Sequence, residues 1–106
     1  MVCPLPSRKR RILLPIIGER CGWKCVYCER PLVQGAANRD DRPTLDHATP
    51  RSQRGGPGNL PRNFVLACHP CNTAKGNTDL ATWLESRSLP PDHLNKYLYR
   101  PERRSA

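Results

Sequence analysis

The chain has 106 residues, which leaves room for one domain with a modest core. Hydrophobic residues account for 37% of it and Pro for 12 positions, so the fold needs a source of stability in addition to buried apolar surface. No apolar stretch approaches transmembrane length, which excludes a membrane partner. Eighteen Lys and Arg against nine Asp and Glu give a net charge of +9, and this excess makes polyanions the expected partners.

The first 20 residues combine a basic cluster, residues 7–11, with an apolar run from Ile12 to Ile17 that Pro15 interrupts. We expect a basic arm followed by a short segment that packs on the core. The run is shorter than the roughly 7–15 apolar residues of a signal peptide, so a cytoplasmic location is expected. In that compartment Cys-x-x-Cys pairs bind metal more often than they form disulfides.

Two Cys-x-x-Cys pairs, Cys25/Cys28 and Cys68/Cys71, predict a metal site. Each pair places two thiolates on one turn, and together they complete a tetrahedral four-sulfur zinc site. Because four thiolates leave zinc no open position, its role is structural, and its binding energy contributes to folding. Four unrelated thiols are improbable at these spacings, and a redox pair is disfavoured because no thioredoxin-like strand and helix pattern surrounds either.

The remaining cysteines and histidines carry weaker signals. Cys3 and Cys21 have no partner at metal spacing and receive no role. His69 lies inside the second cysteine pair and is an alternative zinc ligand, although a surface histidine is the simpler interpretation. His93 lies among helix-forming residues near the C-terminus and is expected to be exposed.

Short strands are predicted at 44–45 and 64–67. The Gly and Pro content of residues 51–59 requires a loop between them. A helix follows the second strand, since Pro70 suits a first turn and Gly76 can end the helix.

Two more helices are predicted toward the C-terminus. The first takes Thr78 or Asp79 as its N-cap, and the second continues until Pro101 stops it. Their apolar faces, which we assign to the core, consist of Leu80, Trp83 and Leu84 and of Leu94, Tyr97 and Leu98. The chain is thus predicted to be one domain with an N-terminal arm (1–20), a central part that holds every motif (21–79) and C-terminal helices with a basic tail (80–106).

Asp46 and His47 lie at the end of the first predicted strand, and Asn72 directly follows the last cysteine of the zinc site. Two oxygen ligands, from Asp46 and Asn72, suit Mg²⁺ or Mn²⁺. Histidine can deprotonate water near neutral pH, which makes His47 a candidate general base. Taken singly, each residue equally suits a turn, a cap or a half-buried position, but their joint occurrence favours a hydrolytic site.

The ordered motif resembles the zinc-bearing, restriction-like branch of the HNH endonucleases. After the first cysteine pair it comprises Leu45-Asp46-His47, Arg51-x-x-x-Gly55-Gly56 and Asn63-Phe64-Val65-Leu66-Ala67-Cys68-x-x-Cys71-Asn72-x-x-Lys75-Gly76. Several parts in fixed order are more specific than a lone metal motif. The resemblance implies an α+β fold, the small ββα-metal (His-Me finger) fold, in which two antiparallel strands and a helix enclose one divalent ion.

Carried over residue by residue, the resemblance implies that His47 is the general base and that Asp46 and Asn72 hold the ion. Asn63 matches the asparagine that braces the loop of the base, and Asn59 is a rival for that role. The family's name has a histidine where this chain has Asn72. That departure favours Mg²⁺ or Mn²⁺ over Ni²⁺ or Zn²⁺ at the catalytic site.

The implied function is hydrolysis of DNA phosphodiester bonds with 5′-phosphate and 3′-hydroxyl products. Arg51, Arg54 and Lys75 are expected to contact the nucleic acid. The alternative is a non-catalytic zinc module that binds nucleic acid, and it would not need Asp46, His47 and Asn72. A RING-type interaction domain fits poorly, because it interleaves two zinc sites. Target sequence, pathway and oligomeric state, monomer or homodimer, are not readable from these residues.

Overall fold

The computed structural model describes residues 7–50, 52 and 55–98. These residues form a small α+β unit with a two-stranded sheet, which confirms the predicted class. The helices are α1 (Ser7–Cys21), α2 (His69–Lys75) and α3 (Leu80–Ser86), the strands are β1 (Thr44–His47) and β2 (Phe64–Ala67), and 3₁₀ turns lie at Arg39–Asp41, Pro61–Asn63 and His93–Lys96. Among the described helices, none combines the length and the hydropathy that a bilayer crossing requires.

The strands β1 and β2 pair antiparallel, with Asp46 opposite Val65 and His47 opposite Phe64. The strand predicted at 64–67 is confirmed, and the one predicted at 44–45 extends to His47. All of β2 is buried, as its uninterrupted apolar sequence requires. Because successive side chains of a strand point to opposite faces, Asp46 and His47 have different surroundings although they are neighbours in sequence.

The segment expected to be a basic arm is helical from Ser7 onward. Pro15 lies inside α1, where it offers no backbone N–H, so local propensity gave no indication of a continuous helix. Tertiary contacts hold the helix in place. Ile17 and Cys21 are fully buried, and the Arg20 guanidinium donates to the carbonyl oxygen of Phe64 on β2. The expected packing of this segment on the core is therefore confirmed.

The helix α2 begins and ends where the sequence predicts, and α3 begins after Asp79, one of its two predicted N-caps. At the start of α2 the Cys68 sulfur accepts a hydrogen bond from the backbone nitrogen of Cys71. Gly76 ends this helix with a φ of +49°, a conformation that glycine adopts without strain. Asp79 caps α3 by accepting from the backbone nitrogen of Thr82.

Up to residue 98, the third predicted helix consists of the 3₁₀ turn His93–Lys96, in which the backbone nitrogen of Tyr97 donates to the Leu94 carbonyl at 2.9 Å. Its predicted end at Pro101 lies outside the described residues. Leu94 and Tyr97 are buried as expected. The expectation that His93 is exposed is wrong. Its ring is half-buried, and its Nε2 donates to the carbonyl oxygen of Val26 at 2.7 Å, a long-range contact that no local pattern indicates.

Candidate functional site

The two cysteine pairs meet in space. Their Sγ atoms all lie within 4.8 Å of one another, and those of Cys28 and Cys68 are 3.7 Å apart. A tetrahedral zinc with bonds of about 2.3 Å requires sulfur atoms about 3.8 Å apart, so the cluster fits this ion. The thiols are free of disulfides. The predicted metal-binding cluster is therefore confirmed as Cys25, Cys28, Cys68 and Cys71.

The protonation state of the thiols depends on whether a metal ion is bound. Burial, together with the neighbouring thiols, raises the pKa of Cys68 to about 11 and raises that of Cys71 as well. Such thiols stay protonated at neutral pH unless a metal ion holds them as thiolates. His69 lies outside the cluster, with its Nε2 3.4 Å from the Thr73 hydroxyl, so the described site is built from sulfur alone.

Asp46 is the carboxylate at the centre of the second candidate site, and it is 4% exposed. The Tyr27 hydroxyl donates to its Oδ2 at 2.6 Å, and Nζ of Lys75 lies 3.6 Å from the same oxygen. Burial raises the pKa of Asp46, whereas the Lys75 ammonium and the Tyr27 hydroxyl oppose that rise. Both contacts among the described residues use Oδ2, which leaves Oδ1 as the oxygen suited to a metal ion.

Lys75 is 1% exposed and does not lie on the surface. Its Nζ donates to the carbonyl oxygen of His47 at 2.7 Å in addition to its ion pair with Asp46. Burial lowers the pKa of Lys75, and the Asp46 carboxylate opposes this effect. The expected contact between Lys75 and nucleic acid stays a prediction, although this ammonium is enclosed and engaged by Asp46 and His47. It ties α2 to both members of the Asp-His pair.

His47 is half-buried at the end of β1, and its ring lies against Phe64 with centroids 4.7 Å apart. Its Nε2 is 2.7 Å from Oδ1 of Asn59. An amide oxygen only accepts, so this contact places the ring proton on Nε2 and leaves the lone pair on Nδ1. The contact thus orients the imidazole.

Asn63 is 3% exposed and joins three parts of the loop around the site. Its Oδ1 accepts from the backbone nitrogen of Thr49, and its Nδ2 donates to the carbonyl oxygens of Thr49 and Gly58, all at 2.9 Å. The Asn63 carbonyl also accepts from the backbone nitrogen of Ala48 at 2.8 Å. The segment that follows His47 is therefore held through one buried amide, while Asn59 contacts the imidazole itself.

We expect Asn63→Ala to lower the free energy of unfolding by about 1.5–4.5 kcal/mol, because three partly buried hydrogen bonds are lost at about 0.5–1.5 kcal/mol each. Denaturant unfolding of the zinc-loaded protein measures the difference. Asn77→Ala, which removes an exposed amide, is the control and should change stability by under about 0.5 kcal/mol. Equal stability of the two variants would show that Asn63 does not brace the loop.

Asn72 lies on α2 and is anchored to β1 through its amide nitrogen. Its Nδ2 donates to Oγ1 of Thr44 at 3.0 Å and to the carbonyl oxygen of Leu45 at 3.3 Å. The Thr44 hydroxyl in turn donates to the carbonyl oxygen of Ala67 on β2. This chain of contacts orients the amide, and Oδ1 is the atom it offers as a metal ligand.

Sequence inspection missed two residues of this site. Tyr27 lies between two cysteines of the metal-binding cluster, and its contact with Asp46 spans 19 positions of sequence. Asn59 was considered only as a rival for the loop-bracing role, yet it contacts the candidate base. Arg51 and Arg54, the two expected nucleic-acid contacts near the motif, lie outside the described residues.

A buried aspartate and a half-buried histidine on a two-stranded sheet, beside a short helix and a four-cysteine cluster suited to a metal ion, define a small ββα metal-binding domain. The family model of the HNH endonucleases matches residues 25–78, which is half of the chain. The chain belongs to the HNH endonuclease family.

Two similar proteins extend this comparison. The chain is 34% identical over 71 residues to the CRISPR-associated endonuclease Cas9 of Corynebacterium diphtheriae, a match that covers 67% of this chain and 6% of that protein. The crystal structure of the Type II-C Cas9 enzyme from Actinomyces naeslundii superposes with a TM-score of 0.63 at 26% identity, covering 88% of this chain and 10% of the other. The chain thus spans a small part of the length of either relative.

Proposed function

We propose that this domain hydrolyses phosphodiester bonds of DNA, with His47 as general base and one divalent ion held by Asp46 and Asn72. The observation that carries the proposal is the environment of His47. Its Nε2 faces the Asn59 amide oxygen, so Nδ1 has the lone pair that can accept a proton from water. An imidazole oriented by one hydrogen bond, and next in sequence to a buried carboxylate, is suited to base catalysis.

The donor set suits a hard cation. Asp46 has one carboxylate oxygen engaged by Tyr27, and the Asn72 amide is anchored through its nitrogen, so each residue offers one oxygen. Oxygen ligands of this kind favour Mg²⁺ or Mn²⁺. When bound, the ion would stabilise the negative charge that develops on the phosphate oxygens.

The four-cysteine cluster is proposed to hold zinc in a structural role, since four thiolates fill its coordination sphere. It fixes α2 through Cys71, the neighbour of Asn72 in sequence. The zinc therefore affects the reaction only by fixing the position of α2 and of Asn72 on it.

Charge supports DNA as the substrate. The chain carries a net charge of +9, and we propose that Arg51 and Arg54 contact the phosphate backbone. Arg62, an exposed cation next to the loop-bracing Asn63, is a further contact on the described surface. The family resemblance implies 5′-phosphate and 3′-hydroxyl ends, and one site per chain makes a nick the expected product.

Cleavage of supercoiled plasmid tests the proposal. The zinc-loaded protein is incubated with the plasmid in Mg²⁺, in Mn²⁺ or in EDTA, and the expected result is nicked circles in either metal and none in EDTA. The ends are then checked by ligation, which requires a 5′-phosphate and a 3′-hydroxyl. Binding of the plasmid without cleavage in every metal would instead favour a non-catalytic zinc module.

A further inference from the structure

Tyr27 is the buried residue that connects the four-cysteine cluster to the candidate catalytic carboxylate. It lies between Cys25 and Cys28, it is 6% exposed, and its hydroxyl donates to Oδ2 of Asp46 at 2.6 Å. This is a short hydrogen bond to a charged acceptor, the stronger class of such bonds. A phenol in this place is not needed to bind zinc, because the thiols do that.

The ring of Tyr27 is itself held rigidly. It meets Trp83 of α3 edge to face, with centroids 5.5 Å apart. The backbone nitrogen of the preceding residue, Val26, donates to the carbonyl oxygen of Leu66 on β2 at 3.1 Å. The hydroxyl is therefore placed by the metal-bound turn, by α3 and by the sheet together, and it has little freedom to leave Asp46.

The contacts of the carboxylate are one-sided. Tyr27 and Lys75 both approach Oδ2, so the described residues fix the rotation of the carboxylate and leave Oδ1 for another ligand. Residues that hydrogen-bond a metal ligand without contacting the ion are of this kind. Their removal typically lowers metal affinity about 10–100-fold.

We propose that Tyr27 is a positioning residue for the divalent-ion site, which holds Oδ2 of Asp46 so that Oδ1 is presented to the ion. The inference rests on the proposed function, because it takes Asp46 as a ligand of that ion. It assigns the first cysteine turn a second task besides zinc binding. The four-cysteine cluster and the hydrolytic site are then linked through this hydrogen bond as well as through α2.

The experiment is Mn²⁺ binding to zinc-loaded protein, measured by calorimetry without DNA, followed by the Mn²⁺ dependence of plasmid nicking. For Tyr27→Phe we expect the dissociation constant and the metal activation constant to rise about 10–100-fold. Cleavage at saturating Mn²⁺ should fall much less. The matched control is Tyr97→Phe, which removes the same hydroxyl from an equally buried tyrosine that lies against His93 and Lys96.

A double-mutant cycle separates positioning from a general effect on the fold. In an Asp46→Asn background, Tyr27→Phe should cause no further loss of Mn²⁺ affinity, since the acceptor through which it acts has changed. Additive losses would overturn the proposal, as would wild-type Mn²⁺ affinity in Tyr27→Phe. Loss of zinc from Tyr27→Phe would overturn it as well, because Tyr27 would then serve the cluster itself. If wild-type protein neither binds Mn²⁺ nor nicks DNA, the proposed function fails instead.

Discussion

Replacing His47 with alanine is expected to lower the rate of DNA cleavage by about 10²–10⁴-fold, the usual contribution of a general base. Zinc content and thermal unfolding should change little. The reason is that the backbone contact of this residue, its carbonyl oxygen with Nζ of Lys75, does not depend on the side chain. The imidazole makes one hydrogen bond, to Asn59, and one ring contact, to Phe64, and it is only half-buried.

Single-turnover cleavage at saturating Mg²⁺ measures this effect, because product release then does not mask the chemical step. The control is His69→Ala, which removes a half-buried imidazole that contacts only Thr73 among the described side chains. We expect wild-type rates from that variant. Cleavage by His47→Ala at the wild-type rate would show that another group accepts the proton.

Replacing Cys68 with serine is expected to abolish zinc binding and to unfold the domain. Serine is a good N-cap, so it preserves the capping of α2 that the Cys68 sulfur provides, and the substitution isolates the loss of a metal ligand. Structural zinc sites contribute about 10–16 kcal/mol in small zinc-dependent peptides. That is comparable to the about 5–15 kcal/mol of net stability that whole domains have.

The measurements are zinc content per chain and the circular dichroism spectrum, each with and without chelator. Cys21→Ser is the matched control, because Cys21 is as buried as Cys68 but lies outside the metal cluster and contacts the backbone nitrogen of Leu66. It should retain one zinc per chain with a modest loss of stability. A folded, zinc-free Cys68→Ser protein would contradict a structural role of the ion.

Local signals in the sequence predicted part of the site well. The two cysteine turns, the cap at Asp79 and the glycine at position 76 depend on residues within four positions of one another, and each was located from the sequence. The uninterrupted apolar run of β2 was located for the same reason. Short-range geometry of this kind follows from residue type and spacing alone.

Long-range contacts were not predictable in this way. Lys75 was expected to contact nucleic acid, but folding encloses it and brings its Nζ to the carbonyl oxygen of His47, which is 28 positions away in sequence. His93 reaches Val26 across 67 positions. In both cases a side-chain nitrogen donates a hydrogen bond to a backbone carbonyl far away in sequence. This pairing depends on how the helices and turns pack, and the residues near each partner in sequence do not indicate it.

The sequence by itself determined the metal-binding spacing, the Asp46-His47 pair and the α+β class, because thiolate pairs, apolar runs and helix caps act over a few residues. Tertiary structure alone decided the orientation of these groups. Packing brings Tyr27 and Lys75 to one oxygen of Asp46 and Asn59 to one nitrogen of His47. Those contacts join segments 12 to 29 positions apart, and only the burial of the core between the sheet and the helices brings the segments together.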